Sequence, residues 1–212
     1  MRHRIIALCG PSGSGKTTLQ NALLSAPDSS FVRVVGDTTR PPREGEVDGV
    51  DYHFISESLF AQRVADGEYL EHATVYGYQK GVRRAEFNRV TENHPNKAIL
   101  IVLDKQGIEN YSTSFEPGEF TAVFLVGPDK PELHRRMLDR GDKPEDIDAK
   151  LADRDSELNW AVSEPYVDFF LPDTSVTHGV AILTCLASVL PLTRNDFLGR
   201  VTDDLRVKSR RG

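Results

Sequence analysis

Residues 10–17 match the pattern G-x-x-x-x-G-K-[ST], which binds the phosphate groups of nucleotides. Glycines in such a loop let backbone N–H groups approach a phosphate chain closely. The pattern places Lys16 on the β- and γ-phosphates and the Thr17 hydroxyl on Mg²⁺. A chance match in a loop rich in Gly and Ser is the alternative, and the flanking elements decide between the two.

The stretches on either side of the loop are those that a phosphate site requires. Residues 5–9 are apolar and predict a buried strand. Residues 18–24 predict a helix with Leu19, Leu23 and Leu24 on one face. The first turn of that helix adds unpaired N–H groups and the positive end of its dipole. We therefore predict that ATP is bound by Gly10, Ser12, Gly13, Ser14, Gly15, Lys16, Thr17 and Thr18.

A second feature of a phosphate site is the apolar run at residues 98–103, which ends at Asp104. In P-loop proteins a carboxylate at the end of such a strand holds Mg²⁺, directly or through water. A simple turn residue is the alternative, because Asp is also favoured in turns. With the glycine-rich loop upstream, we predict a magnesium site at Thr17 and Asp104.

The basic residues form two groups that could bind phosphate. Arg40 and Arg43 lie in a polar segment, and an arginine fork suits bidentate phosphate binding. One group would hold an acceptor phosphate, and the other would neutralise charge on the moving phosphoryl group. Lys150 and Arg154 are four residues apart and share a helix face. The alternative for each basic residue is an exposed position on a solvated charged face, and we prefer that alternative for Arg135. The second group comprises Arg135, Arg136, Arg140, Lys150 and Arg154.

The order of predicted elements indicates an α/β fold. Strands alternate with helices, which implies a parallel sheet covered on both sides. Residues 37–81 interrupt this alternation, and we predict a core at 1–36 and 82–192, an insertion at 37–81 and a tail at 193–212. The predicted strands lie at 31–35, 52–55, 69–70, 74–76, 98–103, 121–126 and 169–171, and the helices at 57–65, 83–92, 131–139, 144–160 and 176–190.

Composition narrows the class of protein. The 212 residues, 39% of them hydrophobic, suit one domain with small insertions or at most two domains. A net charge of −6 argues against a general nucleic-acid binder, which needs a basic face. The two cysteines, Cys9 and Cys185, show no metal spacing, and Cys9 is expected in the core. We predict a cytoplasmic monomer or homodimer with no membrane partner, because neither apolar terminal stretch has the length of a signal peptide or a membrane span.

Taken together, the motifs resemble those of the guanylate kinase family. The resemblance covers about residues 4 to 175. Two motifs lie in the first third of the chain: G-P-S-G-x-G-K at Gly10–Lys16 and T-T-R-x-P-R-x-G-E-x-x-G-x-D-Y-x-F at Thr38–Phe54. Two shorter motifs follow, G-E-[FY]-[LI]-E at Gly67–Glu71 and D-x-Q-G at Asp104–Gly107. The last, at Arg136–Gly141, is similar to the lid motif R-L-x-x-R-G of the family.

The resemblance implies a P-loop core, a lid at 137–148 and an insertion at 37–81 that binds a nucleoside monophosphate. It implies Mg²⁺-dependent transfer of the γ-phosphoryl group of ATP to GMP or dGMP. By the same carry-over, Glu71 would accept hydrogen bonds from the N1 and N2 edge of guanine. The residues that would hold the acceptor phosphate are Arg40, Arg43, Tyr52 and Lys80, and Lys80 stands where the family has Tyr. The residues that would contact the ATP phosphates and the transition state are Lys16, Arg136, Arg140, Lys150 and Arg154.

Three departures from the family pattern concern the base. Gly36, Val82 and Val102 stand where the family has polar groups. Buried polar contacts carry much of the discrimination between bases, so we predict weak discrimination. A kinase of the same fold for a different or modified (deoxy)nucleoside monophosphate is one alternative. A non-catalytic binding module is another, against which the intact P-loop argues, and a polynucleotide kinase is a third, against which the acidic balance argues.

Overall fold

The computed structural model describes residues 4–116 and 118–189. Its strands are β1 (Ile5–Cys9), β2 (Phe31–Arg33), β3 (Asp37–Thr38), β4 (His53–Phe54), β5 (Tyr69–Val75), β6 (Tyr78–Arg83), β7 (Ala98–Val102), β8 (Phe120–Gly127) and β9 (Phe169–Pro172). Its helices are α1 (Lys16–Ser25), α2 (Glu57–Ala65), α3 (Arg84–Asn93), α4 (Lys105–Ser114), α5 (Lys130–Asp139), α6 (Pro144–Ser163) and α7 (Val176–Val189).

A five-stranded parallel sheet with the order β2-β7-β1-β8-β9 forms the core, which confirms the predicted α/β class. Every residue of the central strand β1 is buried. Ile6 and Leu8 pack with α1 and α7 on one face of the sheet. Ile5 and Cys9 pack with α4 and the end of α6 on the other face. Because β1 and β7 are parallel neighbours, the residues that follow them meet at one edge of the sheet.

Cys9 is a core residue, as its position in an apolar run predicts. Its side chain is buried, and burial raises the pKa of its thiol to about 12. Burial therefore keeps Cys9 in its thiol form at neutral pH, as expected of a core residue.

A second sheet, of order β4-β3-β6-β5, spans Asp37 to Arg83 and so includes the predicted insertion. Strands β5 and β6 form a hairpin whose turn, Tyr76 and Gly77, has positive φ at both residues. This is the geometry of a type I′ hairpin turn. A Cβ atom at Gly81 would lie 2.8 Å from the Tyr69 ring, so only glycine lets the two strands approach as closely as they do.

The carboxylate of Asp37 ties this second sheet together. Asp37 is fully buried, and its Oδ2 accepts hydrogen bonds from Arg63 Nη1 at 2.5 Å and from the Tyr69 hydroxyl at 2.8 Å. Its Oδ1 accepts a bond from Arg83 Nε at 3.1 Å. One side chain on β3 therefore connects α2, β5 and the end of β6.

Most predicted elements lie within a few residues of their predicted positions. The two strands predicted at 69–70 and 74–76 are one strand, β5, and three elements were missed. β3 was missed because it is only two residues long. β6 was missed because the two glycines in residues 77–82 are typical of a turn. The polar helix α4 was missed because its buried stripe is short; Asp104 caps it by accepting a hydrogen bond from Gly107 N at 2.8 Å. The predicted tail, 193–212, lies outside the described residues. Among those that are described, no helix is long and apolar enough to cross a membrane.

Candidate active site

The phosphate loop joins β1 to α1 and has the backbone geometry that the glycines predict. Gly10, Gly13 and Gly15 all have positive φ. A Cβ atom at Gly10 would lie 2.3 Å from the carbonyl oxygen of Leu125, so the loop can pass β8 only with glycine there. Gly15 precedes α1 and supplies no side-chain cap. The first N–H groups of α1 are therefore available to an anion.

Lys16 folds back onto its own loop. Its Nζ donates hydrogen bonds to the carbonyl oxygens of Gly10 at 2.5 Å and Pro11 at 2.8 Å. Burial lowers the pKa of Lys16, and the negative charge of Glu157 opposes that effect. A phosphate that entered the loop would take over these donors, because a charged acceptor makes a stronger hydrogen bond than a carbonyl.

The other loop residues predicted to bind ATP surround this lysine. Ser14 is buried, and its hydroxyl has no hydrogen-bond partner among residues 4–116 and 118–189. Thr17 and Thr18 are exposed at the start of α1, and Ser12 is half-buried in the loop. Arg136 Nη1 donates to the carbonyl oxygen of Gly13 at 3.4 Å, which brings a predicted catalytic arginine onto the loop.

A cleft between the two sheets contains the acceptor residues predicted from the sequence. Arg43, Tyr52, Glu71 and Lys80 line it, together with Thr17 of the phosphate loop. Apolar walls come from Val82, Ile101, Val102 and Leu103. The cleft therefore has one wall on the second sheet, β4-β3-β6-β5, and one on the core sheet.

Arg40 lies next to this cleft and is already paired. Its Nη2 donates to both carboxylate oxygens of Glu46, at 2.7 and 2.8 Å. Its guanidinium carbon lies 5.9 Å from the centroid of the Tyr52 ring and 5.8 Å from that of Phe54. These contacts orient Arg40 beside the predicted phosphate ligand Tyr52.

Glu71 and Lys80 both line the cleft. Neither side chain makes a hydrogen bond or salt bridge within the part of the chain that the structure describes. The Lys80 ammonium lies 5.9 Å from the centroid of the Tyr52 ring. Burial and the charge of Asp104 raise the pKa of Glu71 to about 8, while the charge of Lys80 opposes them. A carboxyl group with a strongly raised pKa in a cleft is typical of a functional group.

The lid residues converge on a carboxylate that the sequence analysis did not single out, Asp142. Arg140 Nη2 and Lys150 Nζ donate to Asp142 Oδ2 at 2.6 and 3.0 Å. Arg43 lies in the segment between β3 and β4, and its Nε is 3.4 Å from Asp142 Oδ1. The two predicted groups of cations therefore meet at one point.

The remaining basic residues of the second group differ in position. Arg136 pairs with Glu132 at 2.9 Å and Asp173 at 3.3 Å, and Arg154 Nη2 donates to the carbonyl oxygen of Pro128 at 3.2 Å. Arg135 is 62% exposed and pairs with Glu132 and Asp139 on its own helix. Arg135 therefore belongs to a solvated helix face, which is the reading preferred from the sequence.

Glu157 is a candidate site residue that the sequence analysis missed. Its Oε2 is buried without a hydrogen-bond partner among the described residues. Burial raises its pKa, and the charge of Lys16 opposes that shift. Glu157 follows Lys150 by seven residues and Arg154 by three, so all three share one face of α6. That spacing was visible in the sequence and could have identified it.

Among α/β proteins, a phosphate loop that one set of cations contacts and that borders a cleft lined by another set is the arrangement of a P-loop phosphotransferase. Comparison with known proteins gives the family. The family model described as guanylate kinase matches residues 2–184. The chain belongs to the guanylate kinase family, and it is a phosphotransferase.

Individual relatives agree over most of the chain. The guanylate kinase of Alkalilimnicola ehrlichii is 37% identical over 164 residues, which are 77% of this chain and 78% of the relative. That of Thiobacillus denitrificans is 39% identical over 158 residues, 74% and 73% of the two chains. The guanylate kinase of Paramagnetospirillum magneticum is 30% identical over 200 residues, 93% and 90% of the two chains.

A solved structure supports the fold. The crystal structure of guanylate kinase from Anaplasma phagocytophilum superposes with a TM-score of 0.67 at 24% sequence identity. The match covers 87% of this chain and 84% of that one.

Proposed function

We propose that the protein transfers the γ-phosphoryl group of ATP to GMP or dGMP in a Mg²⁺-dependent reaction. The observation that carries this proposal is the contact of Arg43 with Asp142, the carboxylate that Arg140 and Lys150 also bind. It brings an acceptor arginine to the cations of the lid, which is where a phosphoryl group would pass between two nucleotides. A cytoplasmic location and a monomeric or homodimeric state stay predictions.

The proposed roles follow from position. The phosphate loop, with Lys16, would hold ATP; Arg40, Arg43, Tyr52 and Lys80 would hold the acceptor phosphate. Arg136, Arg140, Lys150 and Arg154 would neutralise charge that develops during transfer. Glu71 would accept hydrogen bonds from the base. The lid, 137–148, and the insertion, 37–81, would close over both substrates and exclude water, which otherwise competes as acceptor.

The oxygen groups around the phosphate loop fit Mg²⁺. Thr17 is exposed in the cleft, and Asp104 Oδ1 accepts a hydrogen bond from Gly107 N, while its Oδ2 makes none to a described residue. After burial, the charge of Asp104 is the next cause of the raised pKa of Glu71, so a cation would relieve repulsion. Mg²⁺ is usually bound by one or two carboxylates together with substrate phosphates. When bound, it would neutralise charge on the transferring group.

A panel of acceptors tests the proposal directly. The purified protein is incubated with ATP, Mg²⁺ and, in turn, GMP, dGMP, AMP, dUMP, dTMP and dCMP, and kcat/KM is measured for each. Phosphorylation of GMP or dGMP is expected. If no acceptor is phosphorylated while ATP still binds, the kinase proposal is wrong and the binding-module alternative takes its place.

The walls of the cleft favour a second candidate, a kinase of broader acceptor range. Val82 and Val102 line the cleft, and Val82 pairs with Glu71 across β5 and β6. Beside Glu71 they offer no polar group to a base. We expect at least one of AMP, dUMP, dTMP and dCMP to reach a kcat/KM within about tenfold of that for GMP or dGMP, or about 1.4 kcal/mol. Val82→Thr should shift the preference toward GMP. Gly36→Ser is a poorer test, because the added Cβ would lie 3.0 Å from the carbonyl oxygen of Gly81 and crowd the backbone there.

The two groups of cations should differ kinetically. Arg40→Ala should raise the KM for the acceptor about tenfold with little change in kcat, because Arg40 would bind a ground-state phosphate. Arg140→Ala should lower kcat by about ten- to a hundredfold, because Arg140 would act on the transferring group. Steady-state kinetics with each substrate in turn measures both effects.

Controls separate these effects from side effects. Arg40→Ala also frees Glu46, whose carboxylate would then repel the acceptor phosphate, so Arg40→Ala/Glu46→Gln isolates the loss of the arginine. Arg135→Ala, on the solvated face, should change neither constant by more than about twofold. Equal effects of Arg40→Ala and Arg140→Ala on the KM for ATP, with no change in acceptor KM, would contradict the division of roles.

The titration of Glu71 predicts a pH dependence. Only the ionised carboxylate can accept two hydrogen bonds from the N1 and N2 edge of guanine. The pKa of Glu71 in the empty cleft is raised to about 8, so binding of GMP must remove a proton at lower pH. The KM for GMP should therefore fall from pH 7 to pH 9 by up to about tenfold, the factor by which the ionised fraction of Glu71 in the empty cleft rises; a cation at Asp104 would reduce that factor. Glu71→Gln should bind GMP more weakly and lose this dependence.

The measurement uses saturating ATP, so that titration of Lys16 does not enter the KM for GMP. A wild-type KM for GMP that stays constant from pH 7 to pH 9 would show that Glu71 does not meet the base as an ionised carboxylate.

A further inference from the structure

Asp142 is a buried carboxylate at the point where the lid meets the acceptor segment. Its side chain is 2% exposed. Arg140 binds it through two hydrogen bonds, Nε to Oδ1 at 3.1 Å and Nη2 to Oδ2 at 2.6 Å, and Lys150 adds a third at 3.0 Å. Arg43, which comes from the segment between β3 and β4, lies 3.4 Å away. Asp142 therefore joins two parts of the chain that the proposed function assigns to different substrates.

The cations hold Asp142 in its charged form. Burial opposes ionisation, but hydrogen bonds from Arg140 and Lys150 lower the pKa of Asp142 to about 2. Burial, with the charges of Arg140 and Arg40, lowers the pKa of Arg43. The cations are therefore close enough to repel one another, and Asp142 offsets that repulsion.

Charge around Asp142 is nevertheless unbalanced. Among the described residues, the carboxylates that pair with Arg40, Arg43, Arg140 and Lys150 are two, Asp142 and Glu46. Two positive charges remain, and a phosphate monoester carries about two negative charges at neutral pH. The cluster is thus suited to one additional phosphate group.

Of the three cation contacts of Asp142, the one with Arg43 is the longest. At 3.4 Å it is longer than the bonds from Arg140 and Lys150, and the Arg43 side chain is 31% exposed to the cleft. An anion that enters the cleft can therefore replace Asp142 at Arg43 without breaking the shorter bonds that Asp142 makes to Arg140 and Lys150.

We propose that Asp142 is a positioning residue that occupies the place of a substrate phosphate group between Arg43 and the lid, and that it gives up Arg43 when that phosphate binds. In the substrate-free protein it keeps Arg43, Arg140 and Lys150 convergent. The proposal rests on the proposed function only in identifying the replacing group as the acceptor phosphate. The competition itself follows from the contacts around Asp142.

Calorimetric titration with inorganic phosphate tests this competition without any nucleotide. Asp142→Asn removes the competing charge and should bind phosphate about three- to tenfold more tightly than the wild type, the effect of removing a partly exposed ion pair. Asp142→Glu keeps the charge and should stay within about twofold of the wild type. The matched control is Asp139→Asn, whose carboxylate pairs with exposed Arg135 on the outer face of α5. Phosphate binding by Asp142→Asn that is equal to or weaker than wild type overturns the proposal.

A second measurement uses the wild-type protein and does not depend on how well Asp142→Asn folds. Addition of phosphate should shift the side-chain carboxyl ¹³C resonance of Asp142, because Arg43 leaves it, and should leave that of Asp139 unchanged. An unshifted Asp142 resonance at saturating phosphate contradicts the proposal. If both phosphate results hold and GMP is not phosphorylated, the proposed function fails while the role of Asp142 stands.

Discussion

Replacing Lys16 by Ala should lower kcat for phosphoryl transfer by about 10²–10³-fold, the loss seen when one preorganised donor to a developing charge is removed. The free protein explains why the fold should survive. Among the described residues, Lys16 Nζ bonds only to carbonyl oxygens of its own loop, those of Gly10 and Pro11, and burial lowers its pKa. Its ammonium group is thus desolvated in advance for a charge that arrives with ATP, and the fold does not depend on it.

The measurement is single-turnover transfer from ATP to the best acceptor of the panel, with circular dichroism to confirm the fold. Lys130→Ala is the matched control: Lys130 is 44% exposed and pairs with Asp155 on the surface, so its loss should leave turnover within about twofold. If Lys16→Ala keeps more than about a tenth of wild-type turnover, the phosphate loop is not the site of transfer.

The loop and its neighbours could be predicted because their signals are local. Three glycines with positive φ, a buried strand before them and a helix after them lie within residues 5–25. Asp104 could be placed because β7 is a parallel neighbour of β1, which brings the two strand ends together. In both cases the residues proposed to perform the chemistry lie next to the elements that position them.

The missed contacts depend on residues far apart in sequence. Asp142 lies in a short turn between α5 and α6, and only the fold brings it to Arg43, 99 positions earlier. The same holds for Asp37, whose partner Arg83 is 46 residues away. A single acidic residue in a polar segment is compatible with a solvated turn as well as with a buried ion pair, and residue type alone does not distinguish them.

Replacing Asp37 by Ala should lower the free energy of unfolding by about 3 kcal/mol, the lower end of the cost of breaking a buried ion pair. Asp37 is fully buried, whereas the side chains of Arg63 and Arg83 are 21% and 22% exposed. After the substitution both guanidiniums can still reach water, which reduces the penalty. The Tyr69 hydroxyl, which is buried with Asp37, cannot be rehydrated as readily.

Urea denaturation followed by circular dichroism gives the free energy of unfolding, and graded variants test its origin. Tyr69→Phe removes one neutral donor and should cost about 1 kcal/mol. Asp139→Ala, at an exposed position, should cost less than about 0.5 kcal/mol. Arg63→Met leaves Asp37 paired with Arg83 and Tyr69. It should therefore lower the free energy of unfolding less than Arg63→Met/Arg83→Met, which leaves the buried carboxylate without either arginine.

The acceptor site should respond to the same change, because Asp37 follows Gly36 at the wall of the cleft and pairs, through β3, with the strand that carries Lys80. Loss of Asp37 should therefore raise the acceptor KM more than the KM for ATP, whose loop lies on the other sheet. A stability loss below about 1 kcal/mol, or equal rises in both KM values, would show that backbone pairing rather than the buried carboxylate holds the second sheet in place.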